Sequence, residues 1–205
     1  MAKAPVAGRS KTRLCPPCTP AEAAELAEAA LRDTLAAAAA SSARERVLAL
    51  DGEPGAWLPA EGFRVIPQCT GGLGERMAGA LAAVGGPALV IGMDTPQLTP
   101  AFLDQALDQL ESPGVDSVLG GADDGGYWAI GVKAPDAGVF TGVEMSTAET
   151  AAEQRRRLGE LGLRVVELPV LRDVDTIADA FAVAEAAPGS RFAAALARMD
   201  LRAPL

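Results

Sequence analysis

The first thirteen residues contain an unusual concentration of basic side chains. Four cations occur here and no acidic residue precedes Glu22, although the whole chain has a formal net charge of -9. This contrast is typical of a phosphate site, where Arg and Lys bind the anion by charge-assisted hydrogen bonds and a glycine lets the backbone approach it. A solvated basic terminus is the alternative. The candidate phosphate ligands are Lys3, Gly8, Arg9, Lys11 and Arg13.

Two aspartates follow segments that are predicted to be strands. Asp94 lies in GMDTP, directly after the apolar run 87–93, which is predicted to be the most buried strand, covered on both faces. Asp175 lies in DVDT, before a predicted helix. Because the carboxyl ends of parallel strands meet at one edge of a sheet, we expect the two carboxylates to hold one Mg²⁺ or Mn²⁺ ion. Lys11 and Asp94 are the predicted catalytic residues. Both aspartates could instead belong to ordinary capping turns.

A glycine-rich segment at 68–77, QCTGGLGERM, precedes a predicted helix. Free amides at the start of a helix bind anions, so this segment is a second candidate for contacts with a nucleotide. An ordinary turn explains the same glycines equally well. The predicted nucleotide-binding residues here are Gly72, Gly74 and Arg76.

A second glycine-rich segment, GGADDGGYW at 120–128, lies between two predicted strands. A hairpin turn explains its Asp-Gly-Gly sequence, but not the only tyrosine of the chain directly after it. Because neighbouring side chains of a strand face opposite sides, we expect Tyr127 to contact substrate and Trp128 to lie in the core. The predicted substrate-binding residues are Asp124, Gly125, Gly126 and Tyr127.

The composition excludes several classes of function. The chain has no histidine, which excludes Ser-His-Asp and Cys-His catalysis and leaves carboxylates, Lys, Arg, hydroxyls and a hard metal ion for chemistry. The acidic net charge argues against nucleic acid as a partner. No apolar run approaches the roughly 20 residues of a membrane span, and no signal peptide is recognisable, so we expect a cytoplasmic protein with no membrane partner.

Cys15-Pro-Pro-Cys18 has the spacing of a redox or zinc motif. A zinc site needs four ligands, and with Cys69 as the third cysteine and no histidine the set is incomplete. The pair also lies in a loop ahead of a helix, whereas a thioredoxin-type pair lies at a helix start after a strand. We therefore expect incidental thiols, with an adventitious disulfide as the alternative.

The elements that position these residues alternate between helix and strand. Thr19-Pro-Ala-Glu22 combines an N-cap, a proline at the first helical position and a capping-box glutamate, and predicts a helix that ends near Ala40. Other helices are predicted at 73–84, 100–110, 147–161, 177–187 and 191–199, and strands at 46–50, 63–66, 87–93, 115–119, 127–132 and 163–168. The alternation predicts a mostly parallel sheet with helices on both faces, in a single domain over residues 1–205.

Five segments of the chain resemble, in order, the motifs of a GT-A-type, glycosyltransferase-like family of uncharacterised function, DUF2064. They are KAPVAGRSKTRL, GGLGERM, GMDTP, DDGGYWAIG and DVDT. The family is related to 2-phospholactate guanylyltransferases and molybdenum-cofactor nucleotidyltransferases. The resemblance implies a three-layer α/β/α nucleotide-diphospho-sugar transferase fold, Rossmann-like and mostly parallel. It also implies a divalent cation, transfer between a nucleotide and a second substrate, and matching roles for the residues named above.

Two differences from the family pattern bear on function. Relatives carry a full hydrophobic strand before the Lys3 segment, whereas Met1 directly precedes it here, so we expect this strand to be cut short or lost. Asp94 stands alone where glycosyltransferases usually have Asp-x-Asp, and DVDT resembles the second metal motif of nucleotidyltransferases. The second difference favours nucleotidyl transfer.

The leading hypothesis is a Mg²⁺-dependent nucleotidyltransferase, which transfers a nucleoside monophosphate from a nucleoside triphosphate to a small phosphorylated or acidic acceptor. The first alternative is a glycosyltransferase that uses a nucleotide-sugar donor on the same fold. The second is a catalytically reduced nucleotide-binding protein. In each case the partners are small molecules, and the oligomeric state stays open, with a homodimer as one option.

Overall fold

The fold is described from a computed structural model that covers residues 1–59 and 61–201. Helices and strands alternate along these residues, as the sequence predicts. The strands are β1 Ala2–Lys3, β2 Val47–Asp51, β3 Arg64–Pro67, β4 Ala88–Ile91, β5 Ser117–Ala122, β6 Tyr127–Val132 and β7 Val165–Leu171. The helices are α1 Pro20–Ala40, α2 Leu73–Val84, α3 Pro100–Glu111, α4 Thr150–Glu160, α5 Ile177–Ala186 and α6 Arg191–Ala197.

The strands form two sheets that meet at β1. Strands β1, β2 and β3 pair in parallel, and the second sheet has the order β4-β6-β5-β7. In this second sheet β5 and β7 are parallel, whereas β6 is antiparallel to both of its neighbours. The Met1 nitrogen donates a hydrogen bond to the Ile91 carbonyl oxygen at 2.9 Å, which sets β1 beside β4. The expected mostly parallel sheet is confirmed, with β6 as the antiparallel strand.

Side-chain alternation in β5 shows that helices cover both faces of the second sheet. Val118 packs against α3, including Leu110. The next residue, Leu119, packs with side chains of α2 and α4. Because successive residues contact different helices, the sheet forms the middle of three layers, as the family resemblance implies.

The first long helix begins at the predicted capping box. The Thr19 amide donates to Glu22 Oε2 at 2.7 Å, and the Glu22 amide donates to Thr19 Oγ1 at 3.3 Å. The apolar face of α1 buries Leu26 against α5 and α6 and Leu31 against β1 and β2. This helix therefore supports the strand ends from which the N-terminal basic loop departs.

The apolar run before Asp94 is less buried than its composition suggests. It is expected to be the most buried strand of the sheet, yet all four residues of β4 are only partly buried, whereas β5 and β6 contain fully buried residues such as Val118 and Ile130. The reason is that Val90 and Ile91 line a cleft. Both residues also pack against the core, so this part of the strand lies between the core and the cleft.

Two other expectations concern burial and membranes. Trp128 is 3% exposed, and its indole Nε1 donates to the Pro169 carbonyl oxygen at 2.9 Å. Its predicted place in the core is confirmed.

Cys15, Cys18 and Cys69 are free thiols, as expected of incidental cysteines. No helix in the described ranges is long and apolar enough to cross a bilayer.

Candidate active site

The carboxyl ends of β1, β2, β4 and β7 border a cleft of about 540 Å³. The turn between β5 and β6 closes one side of it, and the start of α2 lines another side. Open α/β sheets bind ligands beyond the carboxyl ends of their strands, so the cleft has the expected position for a substrate site. Its charged lining residues are Lys3, Arg13, Asp51, Arg76, Asp94, Asp124, Asp173 and Asp175.

Lys11 links the two aspartates that the sequence assigns to a metal. Its Nζ atom lies 3.0 Å from Asp94 Oδ1 and 3.2 Å from Asp175 Oδ1, and the side chain is only 11% exposed. Burial disfavours the charge of the ammonium, but the two carboxylates outweigh this effect and hold the pKa of Lys11 above its ordinary value. Lys11 is therefore a buried cation fixed between two anions.

The segment after β7 presents its aspartates to the cleft by strand-like alternation. Val174 is 1% exposed and packs in the core near α5, whereas its neighbours Asp173 and Asp175 line the cleft. The Val174 amide donates to the Asp94 carbonyl oxygen at 3.0 Å, which joins this segment to the end of β4. Arg13, at the exposed rim, donates to Asp175 Oδ2 at 2.7 Å.

Three carboxylates form a compact cluster in the cleft. Asp124, Asp173 and Asp175 each contribute an oxygen, and these oxygens lie within 4.8 Å of one another. Burial, followed by the charges of Asp124 and Asp175, raises the pKa of Asp173 to about 6. The cluster therefore concentrates negative charge, and among residues 1–59 and 61–201 the cations that form ion pairs with it are Lys11 and Arg13, both through Asp175.

The chemistry of these groups fits a hard divalent cation. Mg²⁺ and Mn²⁺ prefer carboxylate oxygens, and the cluster offers three of them. Within the described part of the chain, Asp94 Oδ1 is buried without an aligned hydrogen-bond donor, although the Lys11 ammonium lies 3.0 Å away. Asp94 and the cluster therefore have coordination capacity that their protein contacts do not use.

That Asp94 and Asp175 share a metal stays a prediction, but the structure adds an ammonium and two further carboxylates to their surroundings. Asp94 and Asp175 are expected to share one ion, but in the structure an ammonium lies between them. Asp175 forms a cluster with Asp124, which is a predicted substrate-binding residue, and with Asp173, which is not among the predicted site residues. The two-residue spacing of DVD in an extended segment is the signal that could have identified Asp173.

The glycines between β5 and β6 allow a close approach of two loops. Gly125 has φ +89°, and a Cβ at this position would lie 1.9 Å from the Ala148 carbonyl oxygen. The Gly125 carbonyl oxygen accepts a hydrogen bond from the Ala151 amide at 2.8 Å, and the Gly126 amide donates to Asp124 Oδ1 at 2.8 Å. The turn therefore holds Asp124 in position beside the start of α4.

The predicted residues at the start of α2 have different surroundings. The Gly72 amide donates to Glu75 Oε2 at 2.7 Å. The side chain of Glu75, in the first turn of α2, therefore already occupies the amide that was predicted to bind a nucleotide. A Cβ at Gly74 would lie 3.2 Å from atoms of Phe140 and Met145, which makes this glycine a packing position. Arg76 lines the cleft and has a buried Nε atom with no partner among the described residues. Of these three, Arg76 has the donor that a nucleotide could use.

The basic N-terminal residues surround a second cavity, of about 240 Å³, next to Asp94 and Asp175. Its cationic lining residues are Lys3, Arg9, Lys11 and Arg13. Gly8, with φ +74°, belongs to the same loop but lines neither this cavity nor the cleft. The structure thus brings together four of the five predicted phosphate ligands.

Tyr127 lines the cleft, but its hydroxyl group is already engaged. The hydroxyl donates to Gln154 Oε1 at 3.3 Å and lies beside the sulfur atoms of Met77 and Met145. Burial raises the pKa of Tyr127 well above its ordinary value, so the hydroxyl stays protonated. Contact of Tyr127 with substrate stays a prediction, and the ring is positioned to act as an apolar wall.

We expect Asp173 to make the metal-free protein less stable as the pH rises from 4 to 7. The folded protein keeps the proton of Asp173 up to a pKa of about 6, whereas in the unfolded chain the carboxyl loses it near the ordinary value of 3.8. Because the folded state binds more protons in this window, stability falls as pH rises through it. Asp173→Asn should raise the urea midpoint at about pH 7.5 and have a smaller effect at about pH 4.5.

The matched control for this measurement is Asp108→Asn, on the exposed face of α3. This substitution should change neither midpoint. Equal shifts for Asp173→Asn at both pH values would contradict a raised pKa.

The chain has the fold of the nucleotide-diphospho-sugar transferases. It superposes on the crystal structure of a protein from Desulfovibrio desulfuricans G20, provisionally named a nucleotide-diphospho-sugar transferase, with a TM-score of 0.85 and 26% identity, over 96% of this chain and 91% of that one. A profile of DUF2064, described as an uncharacterized protein conserved in bacteria, matches residues 34–147. This span exceeds half of the chain, and the protein belongs to the DUF2064 family.

Two mycobacterial structures share the fold at lower similarity. Rv0371c from Mycobacterium tuberculosis H37Rv matches with a TM-score of 0.52 and 22% identity, over 89% of this chain and 94% of that one. Its homolog from Mycobacterium sp. strain JC1 matches with a TM-score of 0.50 and 20% identity, over 82% and 84%. At these identities the likeness concerns the fold alone. No protein of curated function matches the sequence.

Proposed function

We propose that the protein is a divalent-metal-dependent nucleotidyltransferase. An oxyanion of a small phosphorylated or acidic acceptor would attack the α-phosphorus of a nucleoside triphosphate, and pyrophosphate would leave. The observation that supports this proposal most strongly is the juxtaposition of two oppositely charged sites. A cavity lined by four cations directly adjoins the three-carboxylate cluster at the same edge of the sheet.

The cationic residues would bind the triphosphate. Lys3, Arg9 and Arg13 line the basic cavity, and Arg76, which lines the cleft, has a buried Nε donor with no partner among the described residues. Such residues hold phosphates in line for displacement and offset the charge that develops on the leaving group. Lys11, which lines the basic cavity and pairs with Asp94 and Asp175, would contact the phosphates nearest the carboxylates.

The carboxylates would hold the metal. Asp94, Asp173 and Asp175, with Asp124 from the opposite loop, are the oxygen donors placed to bind Mg²⁺ or Mn²⁺. When bound, the ion would supply charge neutralisation and orientation of the phosphates. Asp173 must lose its proton to bind a cation, so we expect metal affinity to fall below its pKa of about 6.

A phosphorylated or carboxylic acceptor suits a chain that has no histidine. The acceptor oxygen of a phosphate or carboxylate is already ionised at neutral pH, so it needs no general base to attack phosphorus. A sugar hydroxyl, in contrast, requires removal of its proton as it attacks. This difference favours the oxyanion acceptor for a site composed of carboxylates, lysine and arginine.

The alternative is transfer of a sugar from a nucleotide-sugar donor. The provisional name of the structurally similar Desulfovibrio protein favours this possibility. The single Asp94 at the end of β4, where an Asp-x-Asp pair is usual for glycosyltransferases, argues against it. A nucleotide-binding protein without turnover is the remaining alternative.

One assay separates the three. The protein is incubated with each nucleoside triphosphate, Mg²⁺ and a panel of phosphorylated acids, and pyrophosphate release is measured. In parallel, nucleotide-sugars and the same panel are assayed for release of nucleoside diphosphate. Acceptor-dependent pyrophosphate is the expected result. Acceptor-dependent release of nucleoside diphosphate would overturn the proposal in favour of sugar transfer, and binding without any turnover would favour the third alternative.

We expect Lys11→Ala and Arg13→Ala each to weaken nucleotide binding by about 1.5–3 kcal/mol, the range for hydrogen bonds to charged groups. Isothermal titration calorimetry with the preferred nucleotide measures the change. Lys133→Ala is the matched control, because Lys133 donates to the Ser112 carbonyl oxygen and lines neither cavity. Unchanged affinity in both N-terminal variants would mean that the basic loop is only a solvated surface.

A further inference from the structure

The Lys11 ammonium lies where two carboxylates would otherwise face each other. Its Nζ atom is 3.0 Å from Asp94 Oδ1 and 3.2 Å from Asp175 Oδ1. The two aspartate side chains are 35% and 28% exposed, so both are open to the cleft, whereas Lys11 is largely buried. In this structure, the cation that lies between Asp94 and Asp175 is therefore the Lys11 ammonium of the protein itself.

This position of the ammonium disfavours a second cation on the same oxygens. A divalent ion bound to Asp94 Oδ1 or Asp175 Oδ1 would lie within a few ångströms of the ammonium, and like charges at such a distance in a partly buried site repel strongly. The ammonium and a divalent ion therefore compete for the space between the two aspartates.

The same ammonium also reaches the basic cavity. Lys11 lines that cavity together with Arg9, and Asp94 and Asp175 line its other side. Its backbone has φ +48° directly before the short 3-10 helix Thr12–Leu14, and its charge is at the end of a flexible four-carbon stem. The Lys11 side chain therefore borders the space that an anion in the cavity would occupy.

We propose that Lys11 acts as a resident counter-ion, which occupies the space between Asp94 and Asp175 until phosphates bind, and then moves to the phosphates and leaves the carboxylates to the divalent ion. This inference rests on the proposed function, because it requires that the cleft bind both metal and phosphate. Its consequence is thermodynamic coupling. Metal alone binds weakly, phosphate alone must break the Lys11 ion pairs, and the two ligands together bind more tightly than either alone.

Metal binding without nucleotide gives the first test. The affinity of the whole protein for Mn²⁺ is measured from the electron paramagnetic resonance signal of the free ion, in wild type and in Lys11→Met. We expect about tenfold or tighter Mn²⁺ binding in Lys11→Met, because the competing charge is removed. Affinity for inorganic tripolyphosphate, measured without metal, should fall in the same variant.

Two controls separate this effect from a general change of charge. Lys133→Met removes a lysine outside both cavities and should leave Mn²⁺ affinity unchanged. Arg13→Met removes a cation that pairs with Asp175 from the solvent side, at 70% exposure, and should tighten Mn²⁺ binding much less than Lys11→Met. Thermal unfolding followed by circular dichroism verifies that each variant is folded.

A second measurement needs no variant. The chain contains three lysines, so protein labelled with ¹³C at lysine Cε gives three resolvable signals. Saturating Mg²⁺ and tripolyphosphate together should shift the Lys11 signal strongly and the Lys133 signal hardly at all. This experiment stands even where Lys11→Met fails to fold.

The possible outcomes distinguish the inference from the proposed function. Equal Mn²⁺ affinity in wild type and Lys11→Met, or a Lys11 signal that stays unchanged when both ligands bind, overturns the counter-ion role and leaves metal-dependent transfer intact. Absence of Mn²⁺ binding in every variant, with and without tripolyphosphate, overturns both.

Discussion

Asp175→Asn is expected to reduce metal-dependent turnover by about a thousandfold or more. Asp175 belongs to the three-carboxylate cluster and also accepts from Lys11 and Arg13, so it connects the candidate metal site to the basic loop. A bound metal contributes several kcal/mol of charge stabilisation in the transition state, and about 4 kcal/mol corresponds to a thousandfold change in rate. Pyrophosphate release at saturating nucleotide and Mg²⁺ measures the effect.

Asp94→Asn should lose turnover by orders of magnitude as well, because it removes the other anionic partner of Lys11. Both variants should fold, because each leaves Lys11 one carboxylate partner. The control is Asp108→Asn, an exposed position on α3 outside the cleft, which should retain full activity. Turnover of Asp175→Asn within about tenfold of wild type would show that the cluster is not the metal site.

Gly125→Ala should destabilise the protein by about 3 kcal/mol or more. A left-handed backbone conformation costs a residue with a Cβ roughly 1–2 kcal/mol, and forcing an atom into a packed contact costs about 1–3 kcal/mol more. Both terms apply, because φ is +89° and the added Cβ would lie 1.9 Å from the Ala148 carbonyl oxygen. Urea unfolding followed by circular dichroism measures the loss.

Gly142 provides a matched comparison for this prediction. It has φ +76°, but a Cβ there would meet no atom within 4 Å. Gly142→Ala should therefore lower the free energy of unfolding only by the cost of the left-handed backbone conformation, roughly 1–2 kcal/mol. Similar losses in the two variants would show that the loop before α4 can move away from Gly125 at little cost.

The positions of the helices follow from the sequence because their determinants are local. Thr19, Thr99 and Thr176 accept hydrogen bonds from amides three residues later, as capping residues do, and the helices after them begin at Pro20, Pro100 and Ile177. Donor and acceptor are then separated by less than one turn of chain. The pattern of residue types is enough to specify such contacts.

The burial of strand β4 did not follow from the sequence. An apolar run predicts a strand covered on both faces, but an apolar wall of a ligand cleft has the same composition. Val90 and Ile91 line the cleft, and this was decided by the packing of neighbouring elements around the end of the strand. Sequence periodicity contains no information about that arrangement.

The amino-acid sequence alone predicted the class of fold, the edge of the sheet where charged residues meet, and most of those residues, because they directly follow predicted strands and the carboxyl ends of parallel strands share one edge. Only the tertiary structure decided how their charges are paired. Lys11 and Asp175 are 164 residues apart in the chain, yet their side chains form a hydrogen bond. The energy of such a pair depends on distance and burial, which are defined only once the loop after β1 and the segment after β7 lie side by side in the folded protein.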